Sequence, residues 1–318
     1  MLASLKFVQG AIRRNAIDPT LEHYRIGDGR ISGSNGHMTL SAKVDLDLVA
    51  CPKASTFYRA IDACKESLSL SMTPAGRLAV VSQGFRAYVP CVPDMPFISE
   101  PQGEVVPVPQ GFVADLVALL PFIGEDASRP WAMGLLVRDG QYMATNNIVL
   151  VQRWSGHSMP AFNFPRFAVT ELARIGVDPT HIQATSDSVT FHYADGRWLK
   201  TQLYPNDWPF ERMSELLERP HAAKAVDEVL WDAIDGLKPF MDEKSSAVYF
   251  RDGELATSTA ELDGVVFEVP GVIAGPIFSI HQLRLLRGVA LSLDLSMFPA
   301  PCLFFGERTR GVVIGMTG

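Results

Sequence analysis

The chain has little that marks a reactive or membrane-bound protein. Four of its 318 residues are cysteine, Cys51, Cys64, Cys91 and Cys302, and no two stand in CxxC spacing. That argues against a disulfide scaffold or a thiolate metal site, and buried free thiols in a reducing compartment are expected. The seven histidines, His23, His37, His157, His181, His192, His221 and His281, show no HxxxH spacing, so no metal is expected. No apolar run approaches the ~20 residues of a membrane span. The first residues, MLASLKFVQGAIRRN, carry their charges after the apolar stretch, the reverse of a signal peptide. A soluble, cytoplasmic protein is the expectation. The net charge is -7, so no global basic field advertises nucleic acid, although a local patch can hide inside such a total. GDGRISGSNG is glycine-rich but reads as hairpin turns, the wrong context for cradling phosphate between a strand and a helix.

What the chain does have is repetition. The stretch AMGLLVRDGQYMATNNIVLVQRW places two apolar strands around Asp139-Gly140. Asp28-Gly29 and Asp252-Gly253 sit in similar surroundings, at spacings of 111 and 113 residues. MATNN and LATST occupy the same place after the second and third of these turns. An amphipathic segment precedes each hairpin, at 2–14, 112–123 and 226–241. A second helical segment follows, at 53–66, 166–175 and 279–288. A second hairpin closes each copy, with turns at Gly76, Gly196 and Gly306, spaced by 120 and 110 residues. Four elements agreeing in order point to three copies of one unit. The Pro-rich stretch 93–110 reads as one junction and 204–220 as a second. The expected domains are therefore 1–108, 109–213 and 214–318.

Each copy combines two helices with mostly antiparallel strands, an α+β layer. Three in a row leave open sheet edges at the ends of the array, and open edges invite pairing with another chain. Self-association into a ring would remove them.

Triplicated units of this length and order resemble the β-type sliding clamp of bacterial replicative DNA polymerase. MATNNIVLV is similar to that family's ATDG-RL strand, FNFPRFAVTELARI to its F-lP…L-elar helix entry, and TQLYPNDWP to its -kLI-G-fPdy end. PIFSIHQLRLLRGV followed by PCLFFGERTRGVVIGM resembles its last helix and C-terminal strand. The resemblance spans nearly the whole chain. The departures are a first strand that is missing or very short, Asn146-Asn147-Ile148 where the family usually has Asp-Gly-His, and a tail reduced to GMTG. They fit a distant member of phage or mobile-element type.

The resemblance implies a DNA-clamp fold in which helices line a channel around duplex DNA. Cations on those segments are Lys6, Arg13, Arg14, Lys53, Arg59, Lys65, Arg166, Arg174, Arg284 and Arg287. Contact with phosphates through water would be salt-sensitive and sequence-blind. The plainer alternative for each is a solvated helix face. Charge is uneven. Residues 1–108 carry 11 basic and 10 acidic groups, 109–213 carry 8 and 10, and 214–318 carry 9 and 15. The helix that opens the third copy holds Asp227, Glu228, Asp232 and Asp235, which must point away from DNA or weaken the hold. The resemblance also implies an apolar cleft for short polymerase and clamp-loader peptides, walled by Trp131, Ala132, Gly134, Thr145, Asn147, Ile148, Leu150, Val313, Ile314 and Met316. Ring closure as a homodimer would engage Ala87 and Val89 of one chain with Pro239, Phe240 and Met241 of another.

The expectation is a non-enzymatic DNA sliding clamp and processivity factor, with no cofactor, served by an ATP-driven loader. One rival is a clamp-fold binding or regulatory module that does not encircle DNA. Another is an intracellular hydrolytic enzyme built on a carboxylate pair such as Asp45 and Asp47. Alternation in KVDLDLV reads more simply as a strand with a solvated face.

Overall fold

The computed structural model describes residues 1–65, 67–94, 96–241, 246–260 and 263–317. The expected ends of segments at Glu66 and Gly318, and Met95 in the first junction, lie outside them. The first repeat runs α1 (Leu2–Val8), β1 (Arg25–Gly27), β2 (Arg30–Ser34), β3 (Met38–Lys43), α2 (Ala54–Asp62), β4 (Ser69–Met72), β5 (Arg77–Ser82) and β6 (Phe85–Pro90). After β7 (Glu104–Pro107) the second runs α3 (Phe112–Leu119), β8 (Gly134–Arg138), β9 (Gln141–Thr145), β10 (Val149–Trp154), β11 (Phe162–Pro165), α4 (Arg166–Ile175), β12 (His181–Ala184), β13 (Ser188–His192) and β14 (Trp198–Gln202). A helix α5 (Phe210–Leu217) and a short strand β15 (Lys224–Ala225) lead into the third. It runs α6 (Glu228–Leu237), β16 (Ala247–Arg251), β17 (Glu254–Ala256), β18 (Val266–Glu268), β19 (Ile277–Ser279), α7 (Ile280–Leu286), β20 (Ser292–Leu293), β21 (Cys302–Gly306) and β22 (Thr309–Val313).

The six expected helices are present, and the first of each repeat ends in a 3-10 turn, at Gln9–Ala11, Leu120–Phe122 and Lys238–Phe240. Both junctions hold more structure than expected. Residues 104–107 form β7, which pairs with β12. Residues 210–217 form α5, whose Phe210, Met213 and Leu217 stand at helical spacing on an apolar face. Asp28 and Gly29 both have positive φ, the geometry of a two-residue hairpin turn.

By contact the chain divides into two compact units, Met1–Val113 with Phe167–Leu203, and Ala114–Arg166 with Tyr204–Gly318. Neither coincides with one repeat, because the sheets are shared between repeats. In the first unit a seven-stranded sheet has the order β1-β2-β3-β14-β13-β12-β7 and a smaller one the order β4-β5-β6. The seam is β3 against β14, from Trp198 opposite Ser41 to Thr201 opposite Met38. In the second unit an eight-stranded sheet has the order β11-β8-β9-β10-β22-β21-β20-β15, beside a four-stranded β18-β17-β16-β19. Its seam is β10 against β22, from Val149 opposite Val313 to Arg153 opposite Thr309.

Helices cover these sheets at specific points. Gly33 lets α1 lie close, since a Cβ there would meet Val8 and Ile12 side chains. Gly10 leaves room for the Glu171 carboxylate of α4. Glu171 is paired with Arg174, which also donates to the Lys6 and Phe7 carbonyls at the end of α1, 3.1 and 2.8 Å away. A cation there satisfies carbonyls that the helix leaves open. In the second unit the buried Asp115 of α3 accepts from Arg153 of β10 at 2.7 Å and from Arg308 of the β21–β22 turn at 3.1 Å. One carboxylate thus ties three elements across the seam. The four cysteines are free, and burial pushes the Cys51 and Cys302 thiols up to about 11.

This packing can be tested at two points. Asp115→Ala removes the carboxylate shared by largely buried Arg153 and half-exposed Arg308 and should cost about 2–3 kcal/mol, read from urea unfolding; a loss no larger than for an exposed pair would remove Asp115 from that role. The second point is His192, which stacks on His181 with ring centroids 4.5 Å apart. Burial, then the neighbouring His181 and Arg30, push its pKa down to about 4. The unfolded chain takes up that proton near pH 6.5 while the folded chain resists until about pH 4, so His192 should make stability fall as pH drops through this window. His192→Phe should flatten that slope between pH 7 and 4.5, and an unaltered slope would refute it.

Candidate functional surfaces

The ten cations expected to face phosphate have unequal surroundings. Arg13, Arg14, Lys53 and Arg59 come together around one cleft of about 380 Å3, formed where the chain leaves α1 and enters α2. Glu22 is the one carboxylate lining it among the described residues, 3.3 Å from Lys53. The hydrogen bond from Lys53 holds the Glu22 carboxyl below its ordinary range. Lys6 and Lys65 are exposed and outside this cleft. Arg166 and Arg174 are structural. Arg166 donates to the Leu120 and Ile123 carbonyls at 3.1 and 2.6 Å and pairs with Glu125 at 3.2 Å, closing the end of the α3 turn. Arg174 is held by Glu171 and the end of α1.

Arg284 and Arg287 are held as well. Asp235 accepts from Arg284 at 2.6 Å and also from Arg287. Arg287 further contacts Glu228 and, at 2.9 Å, Asp232. Hydrogen bonds from Arg284, then from Arg287, hold the Asp235 carboxyl below its ordinary range. The four acidic groups of α6 are thereby accounted for. Three meet arginine, and Asp227 caps the helix by accepting from the Val229 amide at 3.1 Å.

The wall expected to bind peptides lies within the second unit. Ala132, Gly134, Thr145, Leu150 and Val313 are buried, and Trp131 and Asn147 are half-buried. Ile148, Ile314 and Met316 reach the surface, 40%, 42% and 38% exposed. They adjoin because the β10–β22 ladder continues one step further, with the Ile314 amide donating to the Ile148 carbonyl at 2.9 Å. The Met316 amide donates to the Ile277 carbonyl at 2.7 Å, which fixes the segment after β22.

The odd TNN stretch is a built corner. The Asn146 side chain accepts from the Ile148 and Val149 amides at 3.1 and 2.8 Å and donates to Gln282 of α7 at 2.8 Å. Asn147 sits at φ +73°, the left-handed region that asparagine tolerates better than most residues. Its side chain accepts from Arg129 at 2.9 Å.

No protein-family model and no curated protein matches the sequence. Solved structures do match the fold. A DNA polymerase sliding clamp from Pseudomonas aeruginosa aligns over all of this chain and 97% of its own, with a TM-score of 0.85 at 17% identity. The Caulobacter crescentus β sliding clamp gives 0.83 at 18%, and the clamp from Bacillus subtilis 0.79 at 16%, each with the same coverage. The chain has the β sliding clamp fold.

Within the clamp fold, Asn147 stands where the resembled motif has glycine, and its positive φ preserves the turn that glycine would make. Other residues beside the wall carried no motif. Trp131 meets Trp208 edge to face at 5.1 Å, and Phe210 and Met213 of α5, with Met297 and Phe305, pack against a core of Leu136, Met143, Leu150, Leu217, Leu303 and Val312. Their signal was the spacing of apolar residues along 210–217. Tyr88, 50% exposed, and Phe240, 60% exposed, are the large apolar groups on the segments expected to meet a second chain. Ala87 and Met241 are half-buried and Pro239 is exposed, whereas Val89 is fully buried and serves this chain's own core.

The carboxylates Asp45 and Asp47 alternate outward from an irregular segment after β3, as a solvated face does. No group of three or more His, Cys, Asp or Glu able to hold a metal occurs among the described residues. No helix among them is long and apolar enough to cross a membrane.

If this wall binds a polymerase-derived peptide, as the resemblance implies, Ile148→Ala or Met316→Ala should weaken that binding about tenfold, since an apolar anchor of this size is worth ~1–2 kcal/mol. Fluorescence of the adjacent Trp131–Trp208 pair should report the binding. Equal affinity in both variants would remove these residues from the cleft.

Proposed function

We propose that this protein is a DNA sliding clamp, a non-enzymatic processivity factor that encircles duplex DNA as a homodimeric ring and tethers a replicative polymerase. The observation that carries this reading is the pattern of sheet edges. β14 and β22 close the second hairpins of their repeats, and each pairs with the third strand of another repeat's first hairpin set, β3 or β10. The corresponding strands left without such a partner are β6 and β18, each at the edge of its sheet. A second copy supplies what is missing: β6 of one chain against β18 of the other, twice, by the rule that already joins the repeats within one chain. Three domains per chain, 1–108, 109–213 and 214–318, then give six around the ring.

In this reading Lys6, Arg13, Arg14, Lys53, Arg59 and Lys65 meet backbone phosphates without reading sequence. Ile148, Ile314 and Met316 form the surface part of a cleft for short peptides of the polymerase and of an ATP-driven loader supplied by other proteins. The clamp acts in the cytoplasm. The second reading, a clamp-fold module that does not encircle DNA, draws on the neutralised arginines of α7.

Sedimentation should show a dimer of about twice 34.9 kDa. Loaded protein should stay on circular DNA and leave it once the circle is cut. A strict monomer that never captures circles would sink the clamp reading. Tyr88→Asp with Phe240→Asp should turn the dimer into monomer with folding intact, by placing charge on β6 and on the turn after α6, the segments proposed to meet a second chain; a persistent dimer would locate the interface elsewhere.

A further inference from the structure

The cations of the first and third repeats differ in what neutralises them. The cleft at the end of α1 gathers Arg13, Arg14, Lys53 and Arg59 against one carboxylate, Glu22, among the described residues. Only Lys53 is paired, so three arginines there have no carboxylate partner among the described residues. Such a concave group of cations attracts a phosphate that enters it and releases counterions from DNA. On α6 and α7 the balance is reversed. Glu228, Asp232 and Asp235 surround Arg284 and Arg287, three negative charges to two positive, and each arginine already donates to carboxylate oxygens. A phosphate approaching that group meets net negative charge. An arginine that turned to it would leave carboxylates without their partner.

We propose that this chain grips DNA from the first repeat alone: the Arg13–Arg14–Lys53–Arg59 cleft seats backbone phosphates, and the α6 carboxylates withhold Arg284 and Arg287 from the duplex. The ligand, duplex DNA, rests on the clamp reading; the division of labour rests on the charge groupings themselves. The hold on DNA is therefore set by two opposed groups. Replacing α6 carboxylates is a route to a tighter clamp, and replacing α7 arginines changes little.

The test is equilibrium binding of a fluorescent 30-base-pair duplex over a range of salt, with thermal unfolding run on every variant. Arg14→Gln with Arg59→Gln should weaken binding about tenfold or more and lower the salt slope by about two. Arg284→Gln with Arg287→Gln should leave affinity and slope as in the parent. Glu228→Gln with Asp232→Asn should tighten binding and steepen the slope, because it leaves Asp235 as the single carboxylate facing Arg284 and Arg287 in that group. Loss of affinity in the α7 pair equal to that in the cleft pair would overturn the proposal, as would full affinity in the cleft pair. Capture of circular DNA by the unaltered chain tests the clamp reading separately. A chain that binds the short duplex through the cleft yet never stays on circles keeps the one-sided grip and loses the clamp.

Discussion

The structure depends on the seam between repeats, an antiparallel ladder in which one repeat finishes the sheet that another begins. No repeat could bury its own strands in isolation. β1 to β3 would end on an open β3 edge and β12 to β14 on an open β14 edge, each a row of unpaired backbone groups. Joining them satisfies both rows at once. It also explains why the compact units cut across the repeats. Ion pairs between side chains reinforce the seams. Asp115 with Arg153 and Arg308 stands beside one, and Glu171 with Arg174 lies over the helices that cover the other.

The same seam explains why an oligomer is to be expected of such a chain. Two joins among three repeats consume four half-sheets of six. The remaining two, the sheets of β4 to β6 and β16 to β19, are not joined to another repeat among the described residues, and the proposed dimer would pair them. Tyr88 on one and Phe240 near the other are large apolar groups left in water, a modest cost in a monomer and a contribution to a closed ring. In the proposed ring, closure between chains would apply the same constraint that joins the repeats within one chain.

Much of this was readable in the sequence because the repeat multiplies weak signals. One Asp-Gly turn means little, but three at intervals of 111 and 113, each between a first and a second helical segment, define a unit. The junctions were the hard part. Residues 104–107 form a strand only because β12 offers an edge, and nothing local in GEVVPVPQ demands it. Helix α5 was hidden by the prolines on either side, although Phe210, Met213 and Leu217 carried its period. Side-chain partnerships were less visible still. Arg166, Arg174, Arg284 and Arg287 look like any other helical cations in one dimension. Only folding shows that carbonyls and carboxylates already occupy them, while Arg13, Arg14 and Arg59 have no carboxylate partner among the described residues. Val89 fell to the buried face of β6 and Tyr88 to the exposed one, a matter of strand register by a single residue.

The Asn146-Asn147 pair shows how far a motif can drift while its geometry stays. Where the resembled motif has Asp-Gly, two features matter: a side chain at the first position that gathers the following amides, and a backbone at the second that enters the left-handed region. Asparagine meets the first need as aspartate does, since its carbonyl oxygen accepts from the Ile148 and Val149 amides. Its added amide donates to Gln282, a bond that aspartate could not make in that direction. Asparagine at 147 meets the second need at some cost in strain, and the Arg129 contact helps to hold it there. The corner therefore survives with a different charge. The corner beside Ile148 and Ile314 is neutral where the resembled motif would carry a carboxylate, so in the proposed clamp reading a docking peptide would meet amide groups there and rely more on apolar contact.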